Sequence, residues 1–554
     1  ILEAGKEGLS SIFSKQICLR ALDAKYCITK RLPDLVWKLE HLRYLVLSCY
    51  NIKRLPESLT CLQNLQTLKL TSSWMLLELP ASLNEMKNLW FLDIEHFQSL
   101  VCTPPRLGNL TCLRRLSVFI VGPNELHRID QLKELNLGEK LSIKGLEYVR
   151  NMEDAKSANL MTKKNLKSLS LSWTKGIQEN STQHSEEVLK GLEPHNNLET
   201  IRIESYQGSR FPNWMSTLAF KNMTEVSLAN CQRCEHLPPL GKLHSLKSLY
   251  LHGMDSIKRL DARDSVESFP CLRDLDITVC PKLNGLPKLP ALTSLMLCDG
   301  SLELVRSITF LTTSLTKLGL YDSAGLDPFP EGLLQNHNAL EKLQIGSLPI
   351  RTLSNVLDNL FALKDLSLDS CSNLHTLTGG LESLKSLERL DIRGCNSLTS
   401  FPAIILEDLP SLRSLSFQNC KKLQSLSGPL KRASNLQDLL INGIPELEYL
   451  PESMQILNKL RGLRISHCDG LCSLPNWLSS LESLSEISIQ SCKNLNALPD
   501  DFKNLKSTTR LEVWHCPQLE KRCKKPKGKD WQKISHIPVI LINNKYIQHL
   551  DQNS

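Results

Sequence analysis

The pattern L-x-x-L-x-L recurs along nearly the whole chain, and no other property of the sequence restricts the fold as much. Clear copies are Leu42/Leu45/Leu47, Leu65/Leu68/Leu70, Leu246/Leu249/Leu251, Leu363/Leu366/Leu368 and Leu460/Leu463/Ile465. Aligning every copy, degenerate ones included, gives about 21 repeats, most of them spaced 23 to 25 residues apart. Between Trp173 and Asn197 the spacing stretches to about 32 to 34 residues. Leucine accounts for 109 of the 554 residues, whereas aromatics are 5%. Such a composition fits one small unit used many times better than three or four unlike domains.

The alternation within x-L-x-L-x sends the leucines to one face of a short strand and the intervening residues to the other. A single unit cannot bury that apolar face, so stacked neighbours must bury it jointly. The expected fold is therefore an α/β repeat solenoid. It is a leucine-rich-repeat horseshoe with a parallel sheet on its concave side and short return segments on its convex side. Two further positions keep phase with the leucines. A cysteine follows the last strand anchor by three residues at Cys27, Cys231, Cys280, Cys371, Cys395, Cys420, Cys468, Cys492 and Cys516. There it would act as a small apolar group with a weak S–H donor in a buried ladder. A proline then follows an apolar residue, as at Leu55-Pro56, Leu79-Pro80, Leu450-Pro451, Leu474-Pro475 and Leu498-Pro499. Proline lacks an N–H, so these positions are extended and outside the ladder.

The chain divides into four stretches: N-terminal repeats over 1–137, irregular repeats with helical inserts over 138–222, regular repeats over 223–517, and a basic cap over 518–554. The inserts are expected at 154–161 and at 185–192, the latter with Ser185 as N-cap. No run of 18 apolar residues occurs, so no membrane span is expected. The chain begins with Ile and reads as a fragment. An odd total of 19 cysteines argues for free thiols in a reducing compartment. The net charge is +8, but residues 518–554 hold +5 of it, leaving +3 for the rest. A nucleic-acid partner is therefore not expected.

Tests for chemistry come back negative. The sequence holds no phosphate-cradling G-x-x-x-x-G-K-[ST] loop, no G-x-G-x-x-G, no H-E-x-x-H and no G-x-S-x-G. Cys231-x-x-Cys234 with His236 is half a zinc site at best, and Cys231 already belongs to the repeat phase. His467-Cys468 and His515-Cys516 are neighbours on a strand, which would point them to opposite faces. The cluster Tyr206, Phe211 and Trp214 reads as packing of an irregular repeat rather than as a ligand platform. The basic run over 521–529 reads as a cap loop, with a nuclear-import or anionic-surface patch as the alternative. No catalytic residue, cofactor or metal ligand is assigned, and an enzyme is not expected.

Several segments together resemble the plant intracellular immune receptors of the NLR disease-resistance family, coiled-coil NB-ARC LRR branch. They are LRALDAKYCITKRLP with HLRYLVLS near the start, residues 139–173, residues 187–214 with their FPNW, and the ending HCPQLEKRC…GKDWQKISHIP. The resemblance is to the C-terminal repeat portion alone. It implies a module that recognises a pathogen effector or a guarded host protein and restrains a nucleotide switch, in the cytoplasm or nucleus. Nucleotide-binding residues cannot be carried onto any position here. The alternative is an LRR interaction scaffold or a receptor ectodomain.

Charge on the strand positions facing outward then suggests a division. In the first five repeats the outward positions hold six positive and three negative residues. Arg43, Lys69, Arg114 and Arg115 are the expected contacts to the NB-ARC region. From the Leu340 repeat onward the balance is zero, and Arg393, Arg413, Arg464 and Trp514 are the expected ligand contacts.

Overall fold

The computed structural model describes residues 18–549, apart from 25–33, 49–51, 72–74, 95–98, 175–181, 217, 261–268, 312–314, 323–329, 331, 354–355, 378, 402–404, 406–408 and 427–434. Cys27 of the thiol series lies outside the described residues. Two compact units, Ile1–Leu289 and Pro290–Ser554, divide the chain.

The first unit opens with a parallel sheet of β1 (Ala21–Ala24), β2 (Tyr44–Ser48), β3 (Thr67–Thr71), β4 (Phe91–Asp93) and β5 (Arg115–Leu116). Seven strands follow: β6 (Val118–Ile120), β7 (Glu139–Lys144), β8 (Leu166–Ser172), β9 (Thr200–Glu204), β10 (Glu225–Ala229), β11 (Ser248–His252) and β12 (Asp274–Cys280). They too pair in parallel, each with the next. Between β5 and β6 the register slips. Leu92 faces Leu116, but Phe119 rather than Val118 then faces the anchor Ile143. Ser117 is the extra residue. Its Oγ accepts the Ile94 N–H at 2.7 Å, replacing the carbonyl that an unbroken ladder would supply. Val118 and Phe119 are both buried as a result.

The second unit has no such slip. It runs β13 (Ser294–Gly300), β14 (Lys317–Tyr321), β15 (Lys342–Gly346), β16 (Asp365–Asp369), β17 (Arg389–Arg393), β18 (Ser414–Gln418), β19 (Asp438–Asn442), β20 (Gly462–Ser466), β21 (Glu486–Gln490) and β22 (Arg510–Trp514). Leu318, Leu343, Leu366, Leu390, Leu415, Leu439, Leu463, Ile487 and Leu511 stack in one register. All are at most 2% exposed, and burying each side chain stabilises by roughly 1.5–3 kcal/mol relative to leaving it in water.

The proline positions explain the return segments. Pro56, Pro80, Pro451, Pro475 and Pro499 each precede a one-turn 3-10 helix that buries one apolar residue: Leu59, Leu83, Met454, Leu478 or Phe502. A helix start leaves its first N–H groups unpaired, so a missing N–H costs nothing there.

Where the cysteine recurs, the residue before it takes the left-handed conformation: Asn230, Val279, Ser370, Gly394, Asn419, His467, Ser491 or His515. The cysteine comes next. Its Sγ donates to the last-anchor carbonyl of the preceding repeat, as Cys371 to Ile345 at 3.8 Å, Cys420 to Ile392 at 3.7 Å and Cys516 to Ile489 at 3.8 Å. His467 and His515 thus stand past the strand, in the left-handed corner, and not on its opposite face as alternation suggests. All seventeen described cysteines are free thiols.

Short α-helices stand in some return segments, among them two lengthened repeats of the first unit. In the first unit α1 is Met152–Lys156 and α2 is Thr182–Gly191. Ser185 is not the N-cap: α2 already runs from Thr182, and Ser185 lies buried within it. Gly191 lets α2 approach α1, since a Cβ there would lie 2.5 Å from the Met152 carbonyl oxygen. In the second unit α3 (Leu302–Arg306) takes Ser301 as N-cap, its Oγ accepting from the Leu304 N–H. That unit closes with α4 (Pro517–Arg522), α5 (Trp531–Ile534) and the antiparallel pair β23 (Val539–Ile542) and β24 (Lys545–His549). Asn543 and Asn544, both at positive φ, make the turn between these strands.

Candidate protein-interaction surface

Within each unit the outward residues of the strands form a surface whose chemistry changes from repeat to repeat. In the second unit, the first outward position reads Lys317, Lys342, Asp365, Arg389, Ser414, Asp438, Gly462, Glu486 and Arg510. The inward position beside it is leucine or isoleucine throughout. The core is therefore held constant while the face varies.

In the first unit the four expected contacts meet different surroundings. Arg43 is exposed, just before β2, and no ion pair joins it to the described residues. Lys69 lies over the Phe91 ring, 5.0 Å from its centroid. Arg114 turns its guanidinium back onto the Thr111 carbonyl at 2.9 Å. Arg115 stacks over Trp90 and Phe91 at 5.4 and 5.8 Å and pairs with Glu139. The basic character expected of this face is thus partly neutralised by Glu139 and partly laid against aromatic rings. Trp90 and Phe91 were not singled out in the sequence. Trp90 sits in the first variable slot after an anchor leucine, and it is 45% exposed.

In the second unit Arg393 is bound to Asp391, Nε to Oδ2 at 2.7 Å. Arg464 faces Glu486 across 3.6 Å. Arg413 is exposed one residue before β18, and its carbonyl accepts the Gln437 and Asp438 N–H groups. Trp514 ends β22 at the same level as Arg393 on β17, with Gln418, Asn442, Ser466 and Gln490 between them. Arg464, Glu486, Ser488, Arg510 and Glu512 ring a shallow cavity of about 250 Å³. Its two arginines are each matched by a glutamate, so it carries no net charge. Such exposed pairs contribute about 0–1 kcal/mol each, and they define shape more than stability.

The remaining candidates are structural. Cys234 Sγ donates to the Gly208 carbonyl at 3.2 Å and Cys231 Sγ to that of Ala229 at 3.5 Å. Burial pushes the Cys231 thiol up to about 12, the opposite of what a metal ligand needs. No group of three metal-binding side chains occurs among the described residues. Tyr206 is wholly buried between Trp173 and Phe211, with its hydroxyl donating to the Arg210 carbonyl at 2.6 Å. Trp214 donates from Nε1 to the Leu189 carbonyl in α2 at 3.2 Å. In the basic run, Arg522 is bidentate to the buried Asp530 at 2.7 and 2.8 Å, so it belongs to the cap. No described helix is long and apolar enough to cross a membrane.

Comparison with known proteins agrees with this architecture. The family described as R13L1/DRL21 LRRs matches residues 129–254 and 446–516. Disease resistance protein RGA2 of Solanum bulbocastanum is 34% identical over 253 residues, covering 43% of this chain and 26% of that protein. Disease resistance RPP13-like protein 1 of Arabidopsis thaliana is 32% identical over 416 residues, 70% of this chain and 39% of that protein. The chain thus spans well under half the length of these relatives. Among solved structures, the crystal structure of the TLR13-ssRNA13 complex aligns over 98% of this chain and 90% of that one, with a TM-score of 0.52 at 16% identity. At that identity the likeness is one of fold alone.

Proposed function

We propose that this chain, a leucine-rich-repeat portion of the plant disease-resistance NLR type, is the recognition and restraint module of an immune receptor. The observation that carries the reading is the constant core beneath a varying face. A solenoid that keeps its inward anchors while varying its outward residues offers many distinct contacts along its strands. The module is non-catalytic and works in the cytoplasm or nucleus. Its ligand is a pathogen effector or a host protein that an effector alters. Arg393, Arg413, Arg464 and Trp514 make ligand contacts through a face balanced in charge.

Restraint falls to the first sheet. Arg43, Lys69, Arg114 and Arg115 face an acidic surface of the receptor's NB-ARC region, and charge complementarity fixes the register of that contact. The pairing of Arg115 with Glu139 lowers its share, so Arg43 and Lys69 carry more of it. The test uses the full-length receptor expressed in leaves. Changing Arg43, Arg114 and Arg115 together to Glu is expected to give cell death without effector. Substituting Arg464 and Trp514 is expected to leave the receptor quiet and impair its response to effector. A quiet and fully inducible triple variant would show the restraint assignment to be wrong.

A further inference from the structure

We propose that the outward face of β13–β16 is a docking notch for a partner segment that presents an apolar side chain beside an acidic one. The inference names a partner chemistry for the recognition reading above and rests on it.

The notch begins with two glycines. Gly319 on β14 and Gly346 on β15 occupy outward positions of neighbouring strands, a pairing that recurs nowhere else in the second unit among the described strands. Neither has a positive φ, so the backbone does not require glycine at either site. Space does. A Cβ at 319 would lie 2.3 Å from the Met296 sulfur, and one at 346 would lie 2.2 Å from the Tyr321 ring. The Met296 thioether and the Tyr321 ring therefore lie flat on bare backbone. Side chains at these two positions would hold both upright. Glycine within a strand often marks a close approach of this kind.

The result is a low apolar floor on an otherwise polar face. From β16 to β18 the outward residues are Asp365, Ser367, Asp369, Arg389, Asp391, Arg393, Ser414, Ser416 and Gln418. A floor of adaptable methionine and rigid tyrosine is what the anchor side chain of a protein partner packs against. Charge sets the rest of the partner's chemistry. Lys317 and Lys342 stand opposite each other on adjacent strands along one rim, and neither is ion-paired among the described residues. The nearest acid along that row, Asp365, is engaged by Arg389 at 2.5 Å. On the opposite rim Asp369 follows Tyr321 and Gly346 with Arg393 beside it, so the two ammonium groups of the lysine rim are left to select a carboxylate next to the anchor.

The test is retention of the full chain on two bead-bound pools of ten-residue peptides. One pool carries Trp, Leu or Phe beside Asp or Glu, and the other carries the same apolar residues beside Lys. The acidic pool is expected to retain the chain at least tenfold better. The Gly319→Ser/Gly346→Ser pair lifts Met296 and Tyr321 off the backbone without changing charge, and is expected to erase that preference. The Lys317→Glu/Lys342→Glu pair touches no core residue and is expected to reverse it, which keeps the test decisive if the serine pair folds poorly. Equal retention of both pools overturns the notch. So does a preference that survives the lysine reversal, or one abolished only by Arg464→Ala/Glu512→Ala. A receptor that still answers effector while the chain shows no pool preference overturns the notch alone, whereas a receptor that answers no effector overturns the recognition reading.

Discussion

The second unit is held together largely by contacts that recur from repeat to repeat, the irregular part of the first by contacts that occur once. In the second, Cys371, Cys395, Cys420, Cys468 and Cys516 point their thiols at carbonyls of the repeat before. In the first, the irregular repeats rely on unrelated clamps. Lys163 is 1% exposed and donates from Nζ to the Leu132 and Leu135 carbonyls at 2.8 and 2.7 Å. Glu186 of α2 accepts from the Ser209 N–H and hydroxyl at 2.9 and 2.8 Å. Periodic spacing lets a small weak donor serve one regular repeat after another, Cys231 and Cys280 of the first unit included; an insert breaks the period, and longer polar side chains then make the contact instead.

Alkaline pH should loosen both units, and the first carries a group that opposes the loss. Burial pushes thiols up in each, Cys231 and Cys280 in the first and Cys523 in the second to about 12, while hydrogen bonds between ladder thiols raise Cys395 and Cys516 and lower Cys371 and Cys468. Unfolded thiols ionise near about 8.5. The folded chain keeps protons that the unfolded chain gives up, so stability is full below about pH 8.5 and falls as pH rises toward 12. One thiol held near 12 loses about 2 kcal/mol by pH 10. Lys163 works the other way. Burial lowers its ammonium to about 8, so the folded state sheds a proton that the unfolded state keeps, and stability rises between pH 8 and roughly 10.4. Hydrogen exchange at pH 7.5 and 10 should show protection falling in both units. Lys163→Met should enlarge the alkaline loss in the first unit.

The next largest effect is expected at the cap of the second unit. Asp530 has no exposed surface; it binds Arg522, Lys533 at 2.9 Å and the Leu498 N–H at 3.1 Å. Together these partners hold its carboxyl below the usual carboxylate range, against the effect of burial. Asp530→Ala leaves Arg522, 31% exposed, without its carboxylate, whereas Lys533 keeps Asp500 at 2.8 Å, so a loss of about 3 kcal/mol is expected, at the low end for a broken buried pair. Urea unfolding should register it, with lost amide protection confined to the second unit. Equal loss in the first unit would contradict a role confined to the cap.

The sequence discloses the repeat anchors of the second unit, which keep one period, but neither α3 nor the strand pair of the cap, which stand outside it. It discloses the first less well, for identifiable reasons. Residues 116–121, LSVFIV, are nearly all apolar, so alternation cannot reveal that the phase slips at Ser117. Lys163 stands next to Lys164 and reads as a solvated pair, although only one of the two is exposed. On the outward face the eight chosen residues do lie on or beside the strands. Their charges could not be summed in isolation, because the partner of Arg115, Glu139, sits 24 positions away in sequence. Glycines at 319 and 346 look like weak strand positions until Met296 and Tyr321 are seen lying on them.

A smaller effect is expected within the aromatic cluster of the first unit. A Cβ at Gly208 would lie 2.2 Å from the Tyr206 ring, which is fixed by Trp173, Phe211 and its own hydroxyl bond. Gly208→Ala should therefore cost about 2 kcal/mol by overpacking, seen as a lower urea midpoint for the first unit only. Gly462→Ala in the second unit meets only the flexible end of Asp438, and its cost should be within about 0.5 kcal/mol.

The smallest effect tests the register slip itself. If Ser117 closes the ladder, its hydroxyl does the work of a carbonyl for one N–H, that of Ile94, at a buried site. Ser117→Ala removes the acceptor and leaves the donor buried, at a cost of about 1 kcal/mol. Ser117→Thr keeps the oxygen and should recover most of it. The deciding measurement is amide exchange at Ile94 alone. Its protection should fall about fivefold in the alanine variant, matching that energy, and return in the threonine variant, while Leu68 and Leu249 stay unchanged. A uniform loss across the first sheet would mean that Ser117 supports general packing and that the slip needs no side-chain acceptor. A local loss would show that this unit mends a broken repeat with one hydroxyl, where the second unit has no break to mend.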